Sequence, residues 1–295
     1  FALDSFRRFI QMYGNVVMEI DSKNFEDIIE KAKHDRRIMY DIDLDEEALC
    51  EIIDDYKKVV RYGQEGGFPS DPKVQLIEAV KAVFRSWNND RAIRYRRMER
   101  IPDSLGTAVN VQSMVFGNMG NTSGTGVAFT RSPVNGDNHV YGEFLVNAQG
   151  EDVVAGIRTP QQITKIGSRR WAERAGVSED ERLKNYPSME EAMPELYKQL
   201  YALQDKLEKH YHDMQDMEFT VQEGKLWLLQ TRNGKRTGSA MVKIACDLLH
   251  EGKITEEQAI MRIEPNKLDE LLHPVFDKSA LKSAKVIAKG LAASP

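Results

Sequence analysis

The chain has 295 residues, 41% hydrophobic and 29% charged, and Lys plus Arg (41) against Asp plus Glu (46) leaves a net charge of −5. This is a globular composition with room for about two domains. It excludes a chain-wide basic footprint for nucleic acid, and no apolar run approaches the ~20 residues of a membrane span. Two distant cysteines, Cys50 and Cys246, lack metal-ligand spacing, which excludes a disulfide framework and points to a reducing compartment. The chain opens on Phe1 without a signal peptide and ends at Ala-Ala-Ser-Pro. It is therefore expected to be a piece of a longer protein, cytoplasmic, with an organellar location also open.

Residues 1–75 read as a charged helical subdomain. Phe6, Phe9, Ile10 and Tyr13 recur at helical spacing, as do Phe25, Ile28, Ile29 and Ala32, and then Leu49, Ile52, Ile53 and Tyr56. Gly63 to Pro72 holds three Gly and two Pro and reads as a linker. Residues 76–236 mix helices and strands. A helix carries Leu76, Ile77, Val80, Val83, Phe84 and Trp87, and Asp90 is placed to cap the next, which bears five arginines from Arg91 to Arg100. Only Tyr95 interleaves them as an aromatic, so they read as a solvated face and not as a nucleic-acid surface. Strands are expected at Thr107–Phe116, Val127–Thr130 and Tyr141–Val146, in a mixed sheet. A charged loop-rich region is expected at 159–188, then a long helix with Leu196, Leu200, Leu203 and Leu207 on one stripe. Residues 237–295 are read as a helical extension, with a capping box at Thr255-Glu-Glu-Gln.

The chemistry concentrates in the segment 216–232, Asp216-Met-Glu-Phe-Thr-Val-Gln-Glu-Gly-Lys-Leu-Trp-Leu-Leu-Gln-Thr-Arg. It predicts a β-hairpin closed by a three-residue turn, Gln222-Glu223-Gly224. In that register Asp216 lies across from Gln230 and Glu218 is diagonal to it, gathering Asp216, Glu218, Gln230 and Arg232 on one face. A two-residue turn would set Glu218 and Gln230 on opposite faces. Mg²⁺ takes one or two hard protein oxygens and completes its octahedron with phosphate and water. Glu218 and the Gln230 carbonyl can supply them, and Arg232 can hold phosphate oxygens. The same face also reads as a polar strand surface with an ion pair.

Two further segments carry weaker signals. Gly124 and Gly126 flank Thr125 before a strand, where backbone amides could approach phosphate, or could simply turn. The strip Gln112-Ser-Met-Val115 could hold an adenine through main-chain hydrogen bonds, or be a core strand. After Tyr141-Gly-Glu-Phe-Leu-Val-Asn-Ala-Gln-Gly150, Glu151 and Asp152 could cap an element or face a phosphate.

Taken together, these segments resemble the N-terminal, ATP-grasp nucleotide-binding region of the pyruvate phosphate dikinases. The match rests on Phe84-Arg-Ser-Trp-Asn-Asn-Asp-Arg-Ala, Ser123-Gly-Thr-Gly-Val-Ala-Phe-Thr-Arg, Asn147-Ala-Gln-Gly-Glu-Asp and Leu229-Gln-Thr-Arg-Asn-Gly-Lys-Arg. The resemblance implies an α+β fold of partial ATP-grasp type, with a helical subdomain and a helical C-terminal extension. It implies Mg²⁺ with ATP as cofactor, Glu218 and Gln230 as metal ligands, and Arg232 on the nucleotide phosphates as the catalytic residue. Gln112, Met114, Val115, Gly124, Thr125, Gly126 and Asp216 are then nucleotide-binding. The implied reaction takes ATP, inorganic phosphate and pyruvate to AMP, pyrophosphate and phosphoenolpyruvate. It proceeds by transfer of the β-phosphoryl to a histidine on a swivelling domain and then to pyruvate in a barrel domain. None of the six histidines sits in a Thr-Ser-His-Ala setting, so the acceptor is expected elsewhere in the full-length protein, which is expected to be a homo-oligomer. The fragment alone is expected to be inactive. A phosphoenolpyruvate synthase-like phosphotransferase and a non-catalytic nucleotide-binding module are the alternatives, with neither nucleic acid nor membrane as a partner.

Overall fold

The computed structural model describes residues 1–63, 66–155, 158–272, 283 and 285. Contacts divide the chain into two compact units, Phe1–Met114 and Val115–Pro295.

The first unit is helical: α1 (Ala2–Val16), α2 (Lys23–Arg36), α3 (Glu46–Gly63), α4 (Pro72–Ser86) and α5 (Asp90–Met98). The apolar stripes read from the sequence meet in one core, where Ile10, Phe25, Ile29, Ile52, Ile53 and Tyr56 are buried. The Phe25 ring packs so tightly on α1 that a Cβ at Gly14 would sit 2.6 Å from it. Asn89, not Asp90, caps α5, its side chain accepting from the Ala92 N–H at 2.7 Å. Asp90 is the first helical residue, where its charge suits the helix dipole. Of the arginines on α5, Arg96 is buried over the Trp87 ring and donates to Asp103 at 2.8 Å. It is a packing residue and not part of a solvated face. The helices α4 and α5, read with the sheet in the sequence, cluster here instead.

The second unit is built on a sheet in the order β3-β2-β1-β4-β5, from β1 (Gly124–Phe129), β2 (Tyr141–Val146), β3 (Gln161–Gln162), β4 (Gln215–Gln222) and β5 (Lys225–Asn233). All four pairings are antiparallel, so the expectation of a mixed sheet is corrected. The expected strand at Thr107–Phe116 is also absent: these residues carry no strand, and most are exposed. The alternation there has β-forming residues but no partner strand to complete it. The short α6 (Gly150–Ala155) follows β2. The region 159–188 is not mainly loop, because α7 (Lys165–Ala175) and α8 (Glu179–Asn185) occupy it, capped by Thr164 and Ser178. After α9 (Met189–Ala192), α10 (Pro194–Tyr211) lays Leu196 and Leu200 against Ala128, Phe144, Met217, Phe219 and Val221 on one face of the sheet. Two further helices, α11 (Gly238–His250) and α12 (Glu256–Met261), close a second core with Met214 and Phe129. The capping box at Thr255 forms as expected, with Gln258 as its partner. A last helix, α13 (Pro265–Leu272), ends the continuously described chain. Most of the extension expected beyond it lies outside the described residues. Among the described residues no helix is long and apolar enough to cross a membrane.

Candidate functional site

The hairpin β4–β5 forms, but not in the expected register. Its turn has two residues, Glu223 and Gly224, with φ of 49° and 78°, between the paired Gln222 and Lys225. Two successive positive φ values define the type I′ turn that matches strand twist. From this turn alone Glu218 would face Leu229. A β-bulge intervenes: Phe219 pairs with Leu228, and the next pair is Glu218 with Gln230. One extra residue in β5 restores the parity that the shorter turn removes. Glu218 and Gln230 therefore stand directly opposite on one face, and Asp216 stands opposite Arg232. The expected pairing of Asp216 with Gln230 is corrected to Asp216 with Arg232.

The neighbouring strands extend these pairs into rows. Glu143, Val127, Glu218 and Gln230 lie side by side across β2, β1, β4 and β5. Tyr141, Phe129, Asp216 and Arg232 form the next row, about 7 Å along the strands. All share the face opposite the α10 core. Glu143 was not singled out from the sequence, although its parity with Tyr141 and Leu145 carries the signal. Its carboxylate accepts from Gln162 Nε2 at 2.9 Å.

Asp216 is nearly buried and accepts from Arg232 Nε at 2.7 Å, while Arg232 is 62% exposed. The Asp216 carboxylate holds the guanidinium firmly charged, above its ordinary pKa. Among the described residues only Nε is used, which leaves the two terminal nitrogens of this exposed side chain as a planar donor pair of the kind that grips phosphate bidentately. Among the described residues, neither the Glu218 carboxylate nor the Gln230 amide has a hydrogen-bond partner. No group of three or more His, Cys, Asp or Glu converges as a metal cage among them. One carboxylate and one amide oxygen suit Mg²⁺, which keeps most of its shell for phosphate and water.

The other sequence-expected residues fall differently. Gly124, Thr125 and Gly126 are the buried start of β1, not an open phosphate loop. A Cβ at Gly126 would lie 2.6 Å from both the Glu143 carbonyl oxygen and the Phe219 ring. The Thr125 hydroxyl is within 3.1 Å of the Phe219 carbonyl oxygen, to which it donates. These glycines let strands and core approach. Gln112 and Met114 are exposed residues of the first unit. Val115 is half-buried in the second unit. The backbone after it is held by amides that the sequence did not flag: Gln222 Oε1 accepts from the Phe116 N–H at 2.8 Å, and Asn147 Oδ1 from the Gly120 N–H at 3.1 Å. Asp152 accepts from the Gln149 N–H at 2.8 Å, a capping role in the first turn of α6.

Residues 64–253 match the family model described as pyruvate phosphate dikinase, AMP/ATP-binding domain. The whole chain is 55% identical to a pyruvate, phosphate dikinase of Clostridium symbiosum, 51% to that of Rhizobium meliloti, and 50% to the chloroplastic dikinase 1 of Zea mays. It spans 31%, 31% and 29% of their respective lengths.

Proposed function

The chain belongs to the pyruvate phosphate dikinase AMP/ATP-binding domain family, and from that premise we propose that its β4–β5 face is the magnesium-nucleotide site of a dikinase. The observation that carries the proposal is the bulge-set opposition of Glu218 to Gln230, with the tethered Arg232 in the adjacent row. Glu218 and the Gln230 carbonyl would hold Mg²⁺, which when bound neutralises charge on the phosphates. Asp216 fixes Arg232 so that its terminal nitrogens meet the phosphoryl oxygens already oriented, and charge stabilisation of this kind is most of what phosphoryl transfer asks of a protein. The reaction proposed for the full-length protein converts ATP, phosphate and pyruvate to AMP, pyrophosphate and phosphoenolpyruvate. The acceptor histidine and the pyruvate site lie in its other domains, and this chain alone binds nucleotide without turning it over.

The test is a titration of the full-length protein with ATP at varied Mg²⁺. Glu218→Gln and Gln230→Ala should each weaken ATP binding in Mg²⁺ and leave the weaker metal-free binding unchanged. Equal weakening with and without the metal would remove both residues from the metal role.

A further inference from the structure

A second cleft lies at the other edge of the sheet. It has a volume of about 390 Å³ and opens between the loop at 132–139, the start of β2, β3 and the exposed side of α7. Its walls include His139, Tyr141, Gln162, Arg170, Glu173 and Arg174. Gln162 on β3 and Glu218 on β4 are three strand spacings apart, about 14 Å, so the cleft lies at the far edge of the same sheet face and adjoins the rows above only through Tyr141 and the Gln162–Glu143 bond.

The arginines of this region are not alike. Arg169 pairs with Glu179 at 3.1 Å, and the buried Arg182 is clamped by Glu179 and Glu191 at 2.7 and 2.8 Å. Arg170 and Arg174, one turn apart on the same helix, have no carboxylate partner among the described residues; Arg174 Nε donates only to the Arg170 carbonyl. Two unpaired guanidiniums stand over a cleft whose lining holds one carboxylate, Glu173, against them. The half-buried His139 is the third nitrogen donor. Its imidazole is held below its ordinary pKa by burial and by repulsion from Arg170, against the attraction of Asp137. A bound anion would relieve that repulsion.

We propose that this cleft binds a small phosphate-type oxyanion, free phosphate or the phosphoryl group of a small molecule, through Arg170 and Arg174 with His139 as the titratable donor. Guanidiniums on adjacent turns offer two planar forks to one tetrahedral anion, and the volume admits a phosphoryl group with a small organic body. The proposal does not depend on the nucleotide reading.

The test follows the six histidines of the full chain by NMR of ¹³C-labelled imidazole carbons, titrated with pH in inorganic phosphate and separately in glycerol 3-phosphate. Saturating anion should raise the His139 midpoint by roughly one unit, and sodium chloride at matched ionic strength should not. Tighter saturation by the ester identifies a phosphorylated small molecule as the ligand, and tighter saturation by phosphate identifies the free ion. The Arg170→Ala/Arg174→Ala variant changes exposed helix positions to the best helix former. It should raise the His139 midpoint without anion and abolish the anion response. No saturable shift, an equal shift in chloride, or an equal shift in the double variant would overturn the proposal.

Discussion

Deleting Leu229 and deleting Thr231 each shorten β5 by one residue, on either side of Gln230, and the ladder gives them opposite consequences. Leu229 is the extra residue of the bulge. Without it, Phe219–Leu228 is followed directly by Glu218–Gln230, and every pair from there to Gln215–Asn233 is kept. Its side chain is 43% exposed, so its loss forgoes about 1 kcal/mol of apolar burial. Deleting Thr231 leaves two ways to pair. If the bulge stays, Arg232 moves opposite Met217, onto the α10 face. If the bulge heals, Arg232 keeps Asp216, but Gln230 moves opposite Met217 instead. Either way one of the two leaves the site face, because a one-residue slip inverts a side chain. Misplacing one such group should cost at least about 10²-fold in phosphoryl transfer from ATP. The assay is the ATP-dependent phosphorylation of the full-length protein, with circular dichroism to confirm folding. Leu229-deleted protein should keep activity within about tenfold, and Thr231-deleted protein should fall below it. Similar losses in two folded variants would refute the register argument.

Other expectations follow from the same contacts. Glu208, buried, accepts from Arg131 at 2.9 and 2.8 Å and from Lys253 at 2.8 Å. Glu208→Gln should therefore cost ~2 kcal/mol in chemical denaturation, since it removes the buried carboxylate that holds Arg131 and leaves Glu251 as the guanidinium's remaining partner. Gly126→Ala, with backbone and a packed ring 2.6 Å from the new Cβ, should cost at least ~1–3 kcal/mol by the same measurement. The Glu191 carboxyl is pulled from 4.5 to about 2 by hydrogen bonds from Arg182. A depressed folded pKa gives stability that is complete above pH 4.5 and lost as pH falls towards 2. Glu191→Gln should flatten that part of the stability–pH curve.

Much of this was legible in the sequence, and the failures have physical reasons. The helical stripes of the first unit converged because 3.6-residue periodicity there coincides with one core. The hairpin was legible from alternation around Gly224, and Asp216, Glu218, Gln230 and Arg232 were gathered on one face through two compensating errors, although Leu226 and Leu228, expected with them, pair with Val221 and Phe219 on the α10 face. A turn one residue too long stood in for a one-residue bulge at Leu229, four pairs along the ladder. Neither was visible, because Glu223 in the left-handed region lacks the Asn or Asp that usually announces a type I′ turn, and Leu228-Leu229 looks like continuous strand. The charged helices α7 and α8 were hidden by their polarity, although Thr164, Gly176 and Ser178 carried the cap signals. Gly124 and Gly126 show the reverse: residues that chemistry would welcome were required by packing.

The central claim, that Glu218 serves the nucleotide's metal and not the fold, is tested most directly by two partial reactions of full-length Glu218→Ala. The account predicts loss of phosphoryl transfer from ATP to the acceptor histidine, with phosphoryl exchange between that histidine and pyruvate retained. An equal loss in both would contradict it.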